Sequence, residues 1–168
     1  MSDPESLFKS WITEHGGAVI KVARAYTLTA EDCQDLVQEI LLQAWRSLPQ
    51  FQARASPSTW IYRIALNTAL GWHRKERVRL GRERPIREEI QAPDGSGQIE
   101  RREVVERLYA AIRRLPPDGT ALVLLYLDDL SYRQIAEVLG ISEGNVGVKL
   151  NRAKKALGEL MKEEPHGP

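Results

Sequence analysis

Apolar positions recur at three- and four-residue intervals along nearly the whole chain, the spacing of helices that each bury one face. Phe8, Trp11 and Ile12, then Val19, Val22, Ala23 and Tyr26, predict opening helices interrupted near Gly16-Gly17. Thr29-Ala-Glu-Asp32 predicts a capped start, with a carboxylate three residues after the threonine. Leu36, Val37, Ile40, Leu41, Ala44 and Leu48 then form one buried stripe, and Pro49 ends it. Ser56-Pro57 opens another helix, serine as cap and proline in the first turn. Trp60, Ile61, Ile64, Ala65 and Thr68 carry that helix before its pattern dissolves into basic residues. Further on, Val105, Leu108, Ile112 and Leu115 keep helical spacing until Pro116-Pro117 stops them. Asp118 is the expected cap of the next helix, which carries Leu122, Val123, Leu125 and Tyr126. No strand pattern of useful length and no internal repeat occurs, so the expected fold class is all-α.

The stretch Leu130–Leu157, LSYRQIAEVLGISEGNVGVKLNRAKKAL, carries more specific information. Ser131 and Gln134 stand three apart as a capping box, and Ile135, Ala136 and Leu139 supply an inner face. Gly140 permits a sharp turn, Ile141 plugs the angle between the helices, and Ser142 caps the second helix. In that helix Val146, Leu150, Ala153 and Leu157 recur as one apolar stripe. Opposite the stripe lie Gly144, Val148, Asn151, Arg152 and Lys155, flanked by Lys149 and Lys154. This is the pattern of a helix-turn-helix, whose second helix enters the major groove. Asn and Arg pair there with base edges, and Lys and Arg neutralise phosphates. Two packed helices joined through a glycine, with a solvated charged face, produce the same pattern without DNA.

Composition changes between about Pro85 and Gln98, where Pro85, Pro93 and DGSG at Asp94–Gly97 read as a flexible linker. With 168 residues, the chain accommodates two small helical domains joined by that linker. The boundaries fall at residues 1–84, 85–100 and 101–168, with the helix-turn-helix in the last.

A net charge of +1 gives no overall basic signal, but the charge is segregated. Between Ala30 and Trp45 the only charged residues are Glu31, Asp32, Asp35 and Glu39. From Arg63 to Arg87 basic residues dominate: Arg63, Arg74, Lys75, Arg77, Arg79, Arg82, Arg84 and Arg87. Such separation implies two surfaces with different partners. The single cysteine, Cys33, excludes an internal disulfide framework, and the scattered His15, His73 and His166 give no zinc-ligand spacing. No cofactor is expected. The N-terminus lacks an apolar signal-like run, and no stretch approaches a membrane span. Cytoplasm is the expected location.

DCQDLVQEILLQAWRSLPQF, then STWIYRIALNTALGWHRKERVR, a basic run, LPP and LSYRQIAEVLGIS follow in that order. In this combination the chain closely resembles the extracytoplasmic-function (ECF) sigma factors, the small two-domain group of the bacterial sigma-seventy family. The resemblance covers a first module from about Leu7 to Arg79 and a second from about Arg101 to Met161. It implies a subunit that confers promoter specificity on core RNA polymerase, with promoter DNA bound both as duplex and as melted strand. The acidic helix matches the segment that docks on the polymerase clamp, which marks Asp32, Asp35, Gln38, Glu39, Leu42 and Gln43. The segment Phe51–Arg74 matches the part that opens the downstream promoter element. By motif position this marks Arg54, Ser56, Trp60, Arg63, Asn67 and Arg74, with the loop Gln52–Ser58 lining a base pocket. Trp60 is equally expected as a core residue, and Arg63 as the partner of a carboxylate. For the upstream element the resemblance marks Val148, Lys149, Asn151, Arg152 and Lys155. Members of the group are often held inactive by an anti-sigma protein, though no residue here identifies one.

The chain departs from the family at Gly147 and Val148, where a basic residue and a serine are common. Gly147 weakens the helix, and Val148 offers a base only apolar contact, such as with a thymine methyl. Three other readings compete with a sigma factor. One is a helix-turn-helix regulator acting without polymerase. Another is a sigma-like interaction protein that has lost promoter reading. The third is a metal-dependent nucleic-acid enzyme built on Glu31, Asp32, Asp35 and Glu39.

Overall fold

The computed structural model describes residues 3–81 and 99–163. Seven α-helices occur among them: α1 (Pro4–Ala25), α2 (Ala30–Ser47), α3 (Pro57–Leu80), α4 (Ile99–Arg113), α5 (Pro117–Leu127), α6 (Tyr132–Leu139) and α7 (Glu143–Glu163). A single 3-10 turn, Leu48–Gln50, follows α2 where Pro49 stands. No strand occurs among the described residues. The expected linker at Pro85–Gln98 and the basic residues Arg82, Arg84 and Arg87 lie outside them.

Helices α1, α2 and α3 pack on one another, and α7 packs across α4, α5 and α6. The first group is centred on Val19, Val22, Leu36, Ile40, Ala65 and Leu66, the second on Ile112, Leu122, Leu125, Ile135, Val146 and Leu150. These side chains belong to one contiguous apolar cluster, because α1 and α3 also touch α4, α5 and α6.

The chain starts four of its helices with the expected side chains, α7 through Ser142 and the others as follows. Thr29 Oγ1 accepts from the Asp32 amide at 3.0 Å, and Ser56 Oγ accepts from the Thr59 amide at 3.1 Å. Ser131 forms both halves of its capping box: Ser131 Oγ takes the Gln134 amide at 3.1 Å, and Gln134 Oε1 takes the Ser131 amide at 2.8 Å. Each bond satisfies a donor that a helix start otherwise leaves unpaired.

Three local expectations are corrected. Helix α1 runs unbroken through Gly16 and Gly17. Two glycines cost a helix roughly 2 kcal/mol, and burial of Trp11 on one side and Val19, Val22 and Ala23 on the other outweighs it. Asp118 is not a cap: Pro116 holds the N-cap position with no side-chain bond, and Pro117 opens the helix. Proline's fixed backbone angle starts α5 two positions earlier than a cap at Asp118 would, which leaves Asp118 in the first turn. Finally, α3 does not dissolve after Thr68 but extends to Leu80. Buried Ala69 and half-buried Leu70, Trp72 and Leu80 keep one side of it anchored while its basic residues face outward.

Candidate nucleic-acid interface

Helix α2 is pinned by buried Leu36, Ile40 and Ala44, so its other side is presented to solvent. Asp35, Gln38 and Leu42 are exposed there, with half-buried Asp32, Glu39 and Gln43 beside them. Gln43 Nε2 donates to Glu39 Oε1 at 3.0 Å, one turn apart. All the residues marked on this helix therefore lie together. The sequence reading missed Trp45, which is 43% exposed three residues after Leu42 and edge-on to Phe8 at 5.3 Å. Its signal was present, because Trp45 falls outside the stripe formed by Ile40, Leu41, Ala44 and Leu48.

The loop between the 3-10 turn and α3 is bracketed by aromatic packing. Trp11, Phe51 and Trp60 meet edge to face, with ring centroids 4.8–5.4 Å apart. Core packing therefore accounts for much of Trp60, which stays half-buried. Gln52, Ala53 and Arg54 project between these anchors, and all are exposed. Ala53 has φ 58°, a left-handed conformation that L-residues rarely adopt and that reverses the loop sharply. Ser56 is tied into the α3 cap, and its Oγ also lies 3.1 Å from Thr59 Oγ1.

Arg63, Asn67 and Arg74 follow Trp60 at helical intervals and are exposed. They form one ridge along α3, about 20 Å long from Trp60 to Arg74 at 1.5 Å per residue. Arg63 differs from expectation. Its partner is the backbone carbonyl of Glu137, reached by Nε at 2.9 Å and by a second guanidinium nitrogen, rather than a carboxylate. Glu137 lies in the last turn of α6, where carbonyls lack amides further along the helix. That end also carries the negative pole of the helix dipole, so a guanidinium fits it well.

At the helix-turn-helix, Gly140 adopts φ 68° and terminates α6, the conformation a Cβ would disfavour. Ser142 Oγ accepts from the Asn145 amide at 3.1 Å and starts α7. Val146, Leu150 and Ala153 are buried, while Val148, Lys149, Asn151, Arg152 and Lys155 are all exposed on the outward side. Lys154 is held back, 4.4 Å over the ring of Tyr126. A Cβ at Gly147 would meet the Tyr132 ring at 3.6 Å, an ordinary contact, so the fold itself does not demand glycine there.

Several polar contacts join the two helical groups, and sequence reasoning identified none of them. Asp128, the C-cap of α5, accepts from Lys21 Nζ at 2.8 Å and from the Tyr62 hydroxyl. The hydrogen bond to Asp128 holds the Lys21 ammonium above its ordinary pKa, against a smaller opposing effect of burial. Arg24 pairs with Glu106 and lies 4.2 Å over the Tyr109 ring. Tyr26 donates its hydroxyl to the Pro117 carbonyl at 2.7 Å, and Arg113 Nε donates to the Arg24 carbonyl at 3.0 Å. Among the described residues no group of three or more His, Cys, Asp or Glu side chains could hold a metal ion. No helix there is long and apolar enough to cross a membrane.

Residues 11–79 match Sigma-70 region 2, and residues 105–157 match Sigma-70, region 4. The ECF RNA polymerase sigma-E factor of Haemophilus influenzae is 31% identical over 82% of this chain and 79% of its own length. This chain belongs to the ECF sigma factors. The sigma-E factor of Escherichia coli is 32% identical over 75% of this chain and 72% of its own. ECF sigma factor SigM of Mycobacterium tuberculosis is 29% identical over 92% and 76%. The solved structure of the sigma factor RpoE with the anti-sigma factor NepR from Bartonella quintana shares the fold, with TM-score 0.75 and 22% identity over 94% of this chain and 98% of that one. CnrH, solved with the cytosolic domain of CnrY, gives TM-score 0.70 at 22% identity over 96% of this chain and 91% of that one. The function of this sigma factor is promoter-specific transcription initiation, with RNA polymerase and promoter DNA as partners. Membership favours that function over a regulator working without polymerase.

Proposed function

We propose a division of labour among the three exposed faces. Helix α2 docks on core RNA polymerase through Asp32, Asp35, Gln38, Glu39, Leu42 and Gln43. Acid and amide groups around exposed leucine and tryptophan suit a basic groove with an apolar floor. The loop before α3, with Arg54 and Ser56, and the ridge of Arg63, Asn67 and Arg74 hold the opened downstream element. Trp60 supports that loop from beneath. Strand capture requires a base to leave the stack, so an exposed polar loop between rigid anchors is apt. Helix α7 reads the upstream element as duplex through Val148, Lys149, Asn151, Arg152 and Lys155.

The domains are residues 1–84 and 101–168, tethered by 85–100, so two weak DNA contacts reinforce each other through effective concentration. The chain is not an enzyme and needs no cofactor; it selects and opens the promoter, and polymerase makes the RNA. Its place of work is the cytoplasm, and an anti-sigma protein is a further partner class, as NepR is for the RpoE of Bartonella quintana. The observation that carries this reading is the coincidence of both sigma regions with exposed acidic, polar and basic faces at the motif positions. Run-off transcription tests it: core polymerase plus this chain should initiate from specific members of a promoter library, and no promoter-dependent product would refute it.

Two residue-level outcomes follow. Asn67→Ala should reduce permanganate reactivity of the downstream element while a polymerase pull-down stays at the parent level; equal loss of both would remove Asn67 from the strand-holding role. Arg152→Ala should weaken duplex binding by about 1–3 kcal/mol if its contact is bidentate to a base. Unchanged affinity and sequence preference in a gel-shift series would exclude Arg152 from the site.

A further inference from the structure

The outward side of α7 is polar and basic except at one place. Lys149, Asn151, Arg152 and Lys155 are exposed there, and among them stands Val148, 53% exposed. Gly147 precedes it directly, and Gly144 lies one turn earlier on the same side. The ring of Tyr132, itself 40% exposed, lies 3.6 Å from where a Cβ on Gly147 would stand. Tyrosine ring, bare backbone and valine therefore make an apolar strip over the first turns of α7.

The fold does not account for this strip. Val148 points away from buried Val146, Leu150 and Ala153 and takes no part in the apolar cluster. A Cβ at Gly144 or Gly147 would meet nothing closer than 3.6 Å, although glycine weakens a helix relative to alanine. Positions without a side chain let a backbone come close to another surface. In the major groove thymine alone presents an apolar group, its 5-methyl, while the other bases present donors and acceptors. A valine side chain has neither donor nor acceptor, so it reads no edge by hydrogen bonding. Set against an amino or carbonyl group it would displace water and replace nothing.

We propose that Val148 selects a thymine in the upstream element: the 5-methyl group seats against its two γ-methyls, and Gly144 and Gly147 let the helix approach that base edge. The proposal rests on the assignment of α7 to the upstream duplex and adds to it the base that one residue demands. Covering a single methyl group amounts to about a fourfold change in affinity.

Uracil keeps the donors and acceptors of thymine and lacks only the methyl, so exchanging single thymines for uracil isolates the contact. The test uses the full chain assembled with core polymerase and a promoter recovered from the library. Competition gel shifts compare that promoter with versions in which each upstream-element thymine, on either strand, is exchanged in turn. The expected result is a position where the exchange weakens binding by about three- to fivefold. In Val148→Ala the same exchange should change binding by less than about 1.5-fold, which closes a double-mutant cycle between the protein and DNA methyl groups. Because Val148 is exposed, the variant should keep the parent's helix content by circular dichroism. Persistence of the uracil penalty in Val148→Ala, whatever its overall affinity, would overturn the proposal, since a merely structural role lowers binding to both promoters alike. So would the absence of any uracil-sensitive position, or an upstream element without thymine. A holoenzyme that recovers no promoter at all would instead refute the functional reading, and the proposal would fall with it.

Discussion

Lysine at both Asp35 and Glu39 should abolish stable assembly with core RNA polymerase, while helix content and melting temperature stay near the parent values. Asp35 is exposed, and the described contact of the Glu39 side chain is with Gln43 on the same helix. The reversal therefore removes little from the fold. At a basic groove it replaces two attractions by two repulsions, and like charges facing each other across an interface cost several kcal/mol. The expected loss is at least about a hundredfold in Kd, on the order of 3 kcal/mol. Titration of labelled chain into core polymerase measures it, and repetition at higher salt should narrow the difference by screening. Assembly at parental affinity would remove α2 from the interface. Helix α7 would then have to carry the chain to DNA unaided, as in the regulator reading.

The largest expected effect on stability lies at Leu150. It is fully buried, in line with Val146 and Ala153, on the face of α7 that packs against α5 and α6. Leu150→Ala removes apolar surface and leaves a cavity, which together cost about 2–5 kcal/mol. Duplex affinity should fall in parallel, because the exposed residues of α7 keep their orientation only while this stripe is seated. Urea denaturation of the variant beside Arg152→Ala separates the effects. The exposed arginine should change stability by no more than about 0.5 kcal/mol and still weaken DNA binding. A cost below about 1 kcal/mol at Leu150 would mean that other contacts anchor the helix.

These two positions also show where sequence patterns speak and where they fall silent. Leu150 belongs to a repeating stripe and Ser131 to a capping box, both properties of neighbours in sequence; each stands as its local spacing predicts. Gly16-Gly17 misled because propensity is a small energy, and burial on both sides overrides it. The expectation for Asp118 failed because the helix-starting preference of the adjacent Pro117 competed with it and won. The exposed faces of α2, α3 and α7 could be placed once their buried stripes were known, since the remaining residues must point outward. Arg63 shows the limit. Its partner is a main-chain carbonyl 74 positions away, and every residue type supplies a carbonyl. No side-chain pattern announces such a bond, and the same holds for Tyr26 on Pro117, 91 positions apart.

The aromatic cluster beneath the loop has a consequence for how this protein can diversify. Phe51 and Trp60 fasten both ends of the loop to Trp11, and the exposed residues between them take no part in that cluster. Substitutions at Gln52 or Arg54 can therefore alter the chemistry that the loop, in its proposed role, offers to an incoming nucleotide, without disturbing the helices underneath. A lineage carrying duplicate copies could acquire new target sites through a short cassette, with its scaffold unchanged.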